Sequence, residues 1–286
     1  MAIKRILILG SRDKRSVRET VERLLPFLEE RVEVVSNNVL QPGPLALDSA
    51  EFALVFGGDG SMLSAARNLQ NTQIPMLGVN LGTLGFLAEF AVEELKEQFD
   101  TLLKGPLPIS RRMQLEVRVH NGQDFSEAAF NDVVVTAGPP FRMIDLDIVA
   151  NDDPLMLCRG DGLIIATPTG STAYNLSAGG PIIAAESRAI VITPICPHTL
   201  ALRPIMLDDE SCVAITAVRV NEGTTLSLDG RLRTDLSIGD KVEIRRGKRD
   251  WYLVQNPAHG AWESIRSKLN WGRLPKYGDE KRSEGG

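Results

Sequence analysis

Apolar positions follow two rhythms along this chain, and the change falls near residue 110. Before it, short apolar runs at Ile3–Leu9, Val32–Val35, Phe52–Phe56 and Met76–Val79 read as buried strands. Between them lie stretches at helical spacing. Val17, Val21, Leu24, Leu25 and Leu28 form one; Ser16 and Glu19 stand at capping-box spacing before it, and Pro26 is expected to bend or break its later turn. Met62, Ala65, Ala66 and Leu69 share one helical face, and Val92, Leu95, Phe99, Leu102 and Leu103 make another amphipathic helix. Alternating strands and helices predict a parallel sheet with helices on its faces.

After Gly105-Pro106-Leu107-Pro108 the period becomes two. Leu115, Val117 and Val119 alternate with polar neighbours, as do Ile144, Leu146 and Ile148, and later Val242 and Ile244. Apart from a short candidate helix at 171–177, helical spacing returns only at 261–269. The chain therefore divides into an α/β domain over 1–110, a β-rich domain over 111–259, a helix at about 260–274 and a polar tail, 276–286, expected to be disordered.

The 286 residues fit about two domains. A net charge of −5 argues against a nucleic-acid binder held by bulk charge, so no nucleic-acid partner is expected. No apolar run approaches the roughly 18 residues of a membrane span, so no membrane partner is expected either. The first apolar run reads as a strand rather than a signal peptide. Cys158, Cys196 and Cys212 form no CxxC pair, which suits reduced thiols in a cytoplasmic protein.

Four glycine-rich stretches carry the candidate chemistry. Gly57-Gly58-Asp59-Gly60-Ser61 ends a central strand and opens a helix, the place where ligands bind in open α/β sheets. Gly57, Gly58 and Gly60 let backbone N–H groups approach phosphate oxygens. A carboxylate there makes sense if Asp59 faces a hydroxyl that loses a proton, or holds a sugar diol; an isolated Asp-Gly is simply a turn. Leu63 replaces the third glycine of a GxGxxG fingerprint, and no GxxxxGK[ST] occurs. After the next strand comes 80–87, where Gly82, Thr83 and Gly85 frame a ligand or a tight turn and Phe86 is available to pack on a ring. Arg159-Gly160-Asp161-Gly162 leads into another strand, and that strand into Thr167–Pro181, dense in hydroxyls and glycine. Ser171 is placed to cap a short helix that Gly179-Gly180 ends, bringing N–H groups, hydroxyls and Tyr174 to one spot suited to a base and ribose. Asn131-Asp132 is a polar pair inside an apolar strand, where a ligand or a bulge would satisfy it.

Together these stretches resemble the NAD kinase (ATP-NAD kinase) family. The matching segments are GGDGSMLSAAR at 57–67, NLGTLGFLAEF at 80–90, FNDVVV at 130–135, RGDGLIIATPTGSTAYNLSAGGPI at 159–182, PICPHTLALRPI at 194–205 and LSLDGRLRTDLSIGDKVEIRR at 226–246. The resemblance implies a Rossmann-like N-terminal domain, a β-rich C-terminal domain with the active site between them, and a C-terminal helix packed back on the first domain. It implies transfer of the γ-phosphoryl group of ATP, or of polyphosphate, to the 2′-hydroxyl of the adenosine ribose of NAD. It also implies a divalent metal such as Mg²⁺ arriving with ATP, and a homodimer or homotetramer. Asp59 matches the proton acceptor. Gly60, Asn131, Asp132, Arg159 and Asp161 match dinucleotide-contacting positions, with Asp132 where the family often has Glu. Thr169, Thr172, Ala173, Tyr174, Asn175, Leu176 and Ser177 match the adenosine loop, and Arg142 and Arg231 fall at contacts of variable residue type. The rival functions are another GGDG-type kinase, acting on a lipid or sugar, and a non-catalytic dinucleotide sensor. His120, His198 and His259 read as structural or exposed, and Trp251, Trp262 and Trp271 as pins for the C-terminal segment.

Overall fold

The computed structural model describes residues 4–82, 85–260 and 262–272. Thr83 and the 276–286 tail lie outside that range. The first part is β1 (Arg5–Gly10), α1 (Arg15–Glu29), β2 (Glu33–Asn37), β3 (Phe52–Phe56), α2 (Asp59–Leu69), β4 (Met76–Asn80), β5 (Phe90–Ala91), α3 (Val92–Lys104) and β6 (Ile109–Arg112). Strands β2, β1, β3 and β4 pair in that order, all parallel. Both faces are covered, as parallel sheets require. Ile6, Ile8 and Leu54 pack against Val17, Val21 and Leu24 of α1 and Leu95 and Phe99 of α3. Leu7, Leu9 and Val55 face the other way, onto Met62, Ala65, Ala66 and Leu69 of α2.

Two local expectations fail. α1 begins at Arg15 after an extended Lys14 with no side-chain cap, so Ser16 lies inside the helix and cannot cap it. Pro26 does not end α1, which runs on to Glu29 with Leu24 and Leu28 buried on the sheet. That buried apolar stripe outweighs one missing backbone hydrogen bond.

The second part is built from β7 (Leu115–His120), β8 (Phe125–Ala129), β9 (Asp132–Thr136), β10 (Ile144–Ala150), β11 (Asp153–Gly160), β12 (Gly162–Ala166), a 3-10 turn at Thr169–Thr172, α4 (Tyr174–Ser177), β13 (Ala189–Ile195), β14 (Ile205–Asp208), β15 (Val213–Arg219), β16 (Thr225–Leu228), β17 (Arg231–Asp235) and β18 (Lys241–Arg246). They form two antiparallel sheets, ordered β11-β10-β15-β18-β7-β8 and β14-β13-β12-β9-β16-β17. Val117, Leu146 and Ile215 from one sheet meet Val135, Leu163 and Ile192 from the other in a single core. This is the interior that period-two alternation predicts for a sandwich.

The chain then returns. β19 (Trp251–Val254) joins the first sheet, parallel to β4 and antiparallel to β6. α5 (Glu263–Leu269) follows. Trp251 is buried; its Nε1 donates to Met113 O at 3.2 Å and its ring meets Phe130 edge to face at 5.5 Å. Phe130 belongs to the same core as α2, so this cluster joins sheet and sandwich. Trp262 and Trp271, expected to pin the segment, are more than half exposed. Trp251→Ala is expected to lower the unfolding free energy by about 3–5 kcal/mol, since it opens a cavity and orphans a carbonyl; urea unfolding followed by circular dichroism measures it.

Candidate active site

β3 delivers the chain to the glycine loop at the carboxyl end of the first sheet. Gly57 turns it with φ of +136°, a conformation costly for any residue with a Cβ, and its N–H donates to Val79 O at 2.9 Å. Asp59 then occupies the first turn of α2, where the helix dipole favours an anion. Its carboxylate reaches the loop after β4. The Phe86 N–H donates to Oδ2 at 3.0 Å, and the N–H groups of Leu87 and Ala88 donate to Oδ1 at 3.0 and 3.4 Å. Gly85 permits this approach, because a Cβ there would overlap Oδ1. A carboxylate offers about four lone-pair positions. Two on Oδ1 and one on Oδ2 are filled, which leaves one position on Oδ2 for an incoming hydroxyl.

Two cavities flank this point, one lined by the residues whose N–H groups hold Asp59 and the other by its chain neighbours. One, of about 360 Å³, is lined by Phe86 and Leu87 together with Thr169, Thr172, Arg112 and Trp262. The other, of about 370 Å³, is lined by Gly58 and Gly60 together with Ser61, Ser64, Lys14 and Asn38. The N–H groups of Asp59 and Gly60 begin a helix and have no intrahelical acceptor. The glycine loop therefore offers donors on the second side while Asp59 is held from the first.

Asn131 lies just before β9 and Asp132 opens it. The N–H groups of Phe130 and Asn131 donate to Asp229 Oδ1 at 2.9 and 2.7 Å, and Arg67 of α2 pairs with Asp229 Oδ2 at 3.1 Å. Asp229 sits between β16 and β17 with φ of +50° and a side chain 1% exposed. Burial pushes its carboxyl up against the pull of the N–H groups and Arg67. Beside it, Asp132 is buried and pushed up to about 7, by burial first and then by the Asp229 charge. Thr167 ties the next segment on: its N–H donates to Asn131 O and its hydroxyl to Phe130 O, both at 2.8 Å. Asn131 Oδ1 and Thr169 Oγ1 are buried with no partner. Unpaired buried polar atoms are rare and mark a place where a ligand is expected to complete the bonding.

The hydroxyl-rich loop departs from its expected shape. Ser171 caps no helix; it is fully buried and its Oγ bonds the main chain of Ile183 in both directions, accepting at 3.1 Å and donating at 3.3 Å. Asn175 faces inward: its Nδ2 donates to Ser171 O and Pro181 O, and its Oδ1 accepts from Thr193 at 2.6 Å. Its side chain is consumed in bracing the loop. Tyr174 and Ser177 are exposed, and Thr172, Ala173 and Leu176 are half-buried.

The remaining residues gather elsewhere. Arg159 forks onto Asp145 at 2.7 and 2.9 Å, and Arg219 shares that carboxylate at 3.2 Å. Asp161 is exposed at the start of β12, so the strand's length, about 17 Å, separates it from Thr167. Arg142 is exposed, and its carbonyl accepts from the Asn221 side chain. None of Arg142, Arg159 and Asp161 lines either cavity. Arg231 is exposed at the start of β17, and its charge adds to burial, the larger cause, in lowering the pKa of Arg67. Of the histidines, His259 contacts Glu94 at 3.0 Å and His120 contacts Asp124 at 2.9 Å.

Sequence reasoning missed Arg67, Asp229, Arg112 and Lys268. Asp229 looks like an ordinary Asp-Gly turn between alternating strands. Arg67 was visible only as the eighth residue beyond Asp59, hence on nearly the same helical face.

A carboxylate fixed at a helix start with a cavity on each side is an arrangement that suits phosphoryl transfer between two bound molecules. Fold and site together define a two-domain kinase acting on a hydroxyl. A family model described as the ATP-NAD kinase N-terminal domain matches residues 17–107, and one described as the ATP-NAD kinase C-terminal domain matches 130–256. The NAD kinase of Geobacter metallireducens is 44% identical over 227 residues, 79% of this chain and 80% of that one. That of Rhodopirellula baltica is 36% identical over 273 residues, 94% of this chain and 88% of that one. A yeast NADH kinase complexed with NADH superposes with TM-score 0.83 at 28% identity, covering 96% of this chain and 90% of that one. An NAD kinase from Archaeoglobus fulgidus in complex with ATP shares the fold, with TM-score 0.74 at 22% identity over 93% of this chain and 98% of that one. The chain belongs to the ATP-NAD kinase family.

Asp132 holds its proton more tightly in the folded chain than at its ordinary value of 3.8. Its contribution to stability is complete below about pH 4 and lost as the pH rises through about 7. Asp132→Asn, which stays neutral, is expected to gain stability relative to wild type across that window, the gap then levelling off. Urea midpoints measured from acid to mildly alkaline pH check this, and a gap independent of pH would refute the raised carboxyl.

Proposed function

We propose that this chain transfers the γ-phosphoryl group of ATP to the 2′-hydroxyl of the adenosine ribose of NAD, giving NADP. The observation that carries this is the open acceptor position on Asp59 Oδ2, beside Phe86 and Leu87, which line a cavity together with Thr169 and Thr172. The ribose hydroxyl donates to that position. As the bond between the 2′-oxygen and γ-phosphorus forms, the proton passes to Asp59, and the bond from phosphorus to the β–γ bridging oxygen breaks to leave ADP. Asn131 and Thr169 supply the unpaired oxygens that bind the adenosine, Asp132 and Gly60 border it, and Phe86 packs against the base or ribose. Tyr174, Ala173 and Ser177 line the open side of the same loop. The triphosphate takes the second cavity, where Gly58, Gly60 and Ser61 begin α2 and Lys14 supplies a cation.

The wall of that cavity offers neutral oxygen donors, Asn38, Ser61 and Ser64, which suits a hydrated Mg²⁺ already bound to phosphates. Such a cation would neutralise charge on the triphosphate. The reaction belongs in the cytoplasm, where ATP and NAD are plentiful and the exposed thiols of Cys196 and Cys212 stay reduced.

The chain acts as a homo-oligomer. Leu157 and Leu200 are 53% and 88% exposed on either side of Arg159, whose carbonyl accepts from the His198 N–H at 2.8 Å. Such apolar exposure around a charged cluster remote from its own cavities supports a second copy, whose NAD would receive Arg159 and Asp161.

Asp59→Asn retains an oxygen for the Leu87 and Ala88 N–H groups but cannot accept a proton. Turnover is expected to fall by roughly 10²–10⁴-fold, with an unchanged near-ultraviolet spectrum, in an assay coupling NADP to an NADP-specific dehydrogenase. Replacing ATP by polyphosphate or NAD by NADH in that assay identifies donor and acceptor. Leu157→Asp is expected to lower the oligomeric mass in sedimentation and to raise the KM for NAD. A variant that dissociates yet keeps its KM would remove Arg159 and Asp161 from the neighbouring site.

A further inference from the structure

α5 arrives at the active site by a well-anchored route. Asn256, 1% exposed, donates its N–H to the Glu89 carboxylate at 3.0 Å and its side-chain amide to Glu89 O at 3.2 Å and to Glu94 at 3.3 Å. His259 contacts Glu94 at 3.0 Å, and Trp262, Ser264 and Ile265 then close one wall of the cavity that holds Phe86. The helix carries Lys268 to the face of the Phe86 ring, with Nζ 4.4 Å from its centre. Phe86 is the residue whose N–H donates to Asp59 Oδ2, the oxygen with the open position.

Lys268 has no carboxylate within ion-pair distance among the described residues. Partial burial lowers its pKa, and the acid whose charge opposes that is Asp59. A partly desolvated ammonium, steered by an aromatic face rather than neutralised by an acid, remains available to a substrate anion. Phosphoryl transfer demands such a charge: three equatorial oxygens and the bridging oxygen carry it as the bonds to phosphorus exchange. The glycine loop contains no lysine. Lys14 stands on the donor-cavity wall. On the acceptor side the cavity wall carries the buried Arg112, and Lys268 lies behind that wall on the ring of Phe86, which lines it.

We propose that Lys268 is a phosphate-facing cation of the transfer site, delivered by α5 and aimed by the Phe86 ring. This rests on the kinase assignment above. Its partner is the γ-phosphoryl group as it passes to the ribose oxygen, not NAD in its ground state. Its loss therefore slows transfer more than it weakens NAD binding.

The test compares wild type, Lys268→Met and Lys268→Arg as full chains, with ATP, Mg²⁺ and NAD, by NADP formation at saturating and limiting NAD. Lys268→Met keeps the stem on the ring and removes the charge. Its kcat is expected to fall about tenfold, less than the 10²–10³-fold cost of losing a rigid preorganised donor because a flexible lysine is imperfectly preorganised. The KM for NAD should move less than about twofold, and Lys268→Arg should recover most of the loss. A wild-type kcat in Lys268→Met overturns the proposal. So does an equal loss in both variants with a raised KM for NAD, which would make the side chain an anchor for α5. A wild type that forms no NADP instead overturns the kinase assignment itself, so the two failures are distinguishable.

Discussion

A buried carboxylate joins the two halves of this molecule. Asp229 comes from the sandwich, takes the N–H groups of Phe130 and Asn131 onto one oxygen, and gives the other to Arg67 of α2. Removing one partner from a buried charge pair costs about 3–5 kcal/mol, chiefly because the other charge is left stranded. That strength is spent on geometry. Arg67 shares a rigid helix with Asp59, and Asn131 shares a strand end with Asp132. The distance from Asp59 to Asn131 and Asp132 is thereby set by one hydrogen-bonded contact rather than by loose packing between domains. The Phe130–Trp251 contact adds an apolar tie at the same seam.

The same arrangement explains an awkward neighbour. Burial first, and then the charge of the neighbouring buried Asp229, makes Asp132 hold its proton up to about pH 7. A protonated acid donates a hydrogen bond as well as accepting one. Where the family often has Glu, the shorter Asp132 lies deep at the start of β9 and is 4% exposed. Asn131 just before it carries the unpaired oxygen. The chemistry at the strand end thus divides between an acid that shapes the local charge and an amide that awaits a ligand.

Much of this was legible before any coordinates. The change from helical spacing to period two located the two architectures, since those rhythms follow directly from which face each element buries. The loop at 57–61 was legible because a carboxylate among glycines at the end of a strand conflicts with a bare phosphate site. What escaped were contacts between residues far apart in sequence. Asp229 and Arg67 are 162 positions apart. Lys268 and Phe86 are brought together by a C-terminal return that carries no local sign of its destination. The inward turn of the Asn175 side chain was hidden for a related reason: in a run of polar residues, only the fold decides which side chains turn inward. Pro26 shows local propensity losing to burial.

The two cavities give the reaction its direction. In-line transfer requires attacking and leaving oxygens on opposite sides of phosphorus. In the proposed reaction Asp59 would activate an attacker from the side of Phe86 and Thr169, while the exposed N–H groups of the α2 start would hold a triphosphate from the side of Gly58 and Ser61. A water molecule arriving from the donor side meets those N–H groups, which donate but cannot accept its proton. Water from the acceptor side must occupy the cavity proposed for adenosine. The base itself has three of its four acceptor positions tied to the backbone, so it stays fixed until a hydroxyl of the right reach arrives. Discrimination against hydrolysis then follows from how Asp59 is held, because a rigid carboxylate with one open position favours a nucleophile presented at a set distance by a bound sugar over one that diffuses.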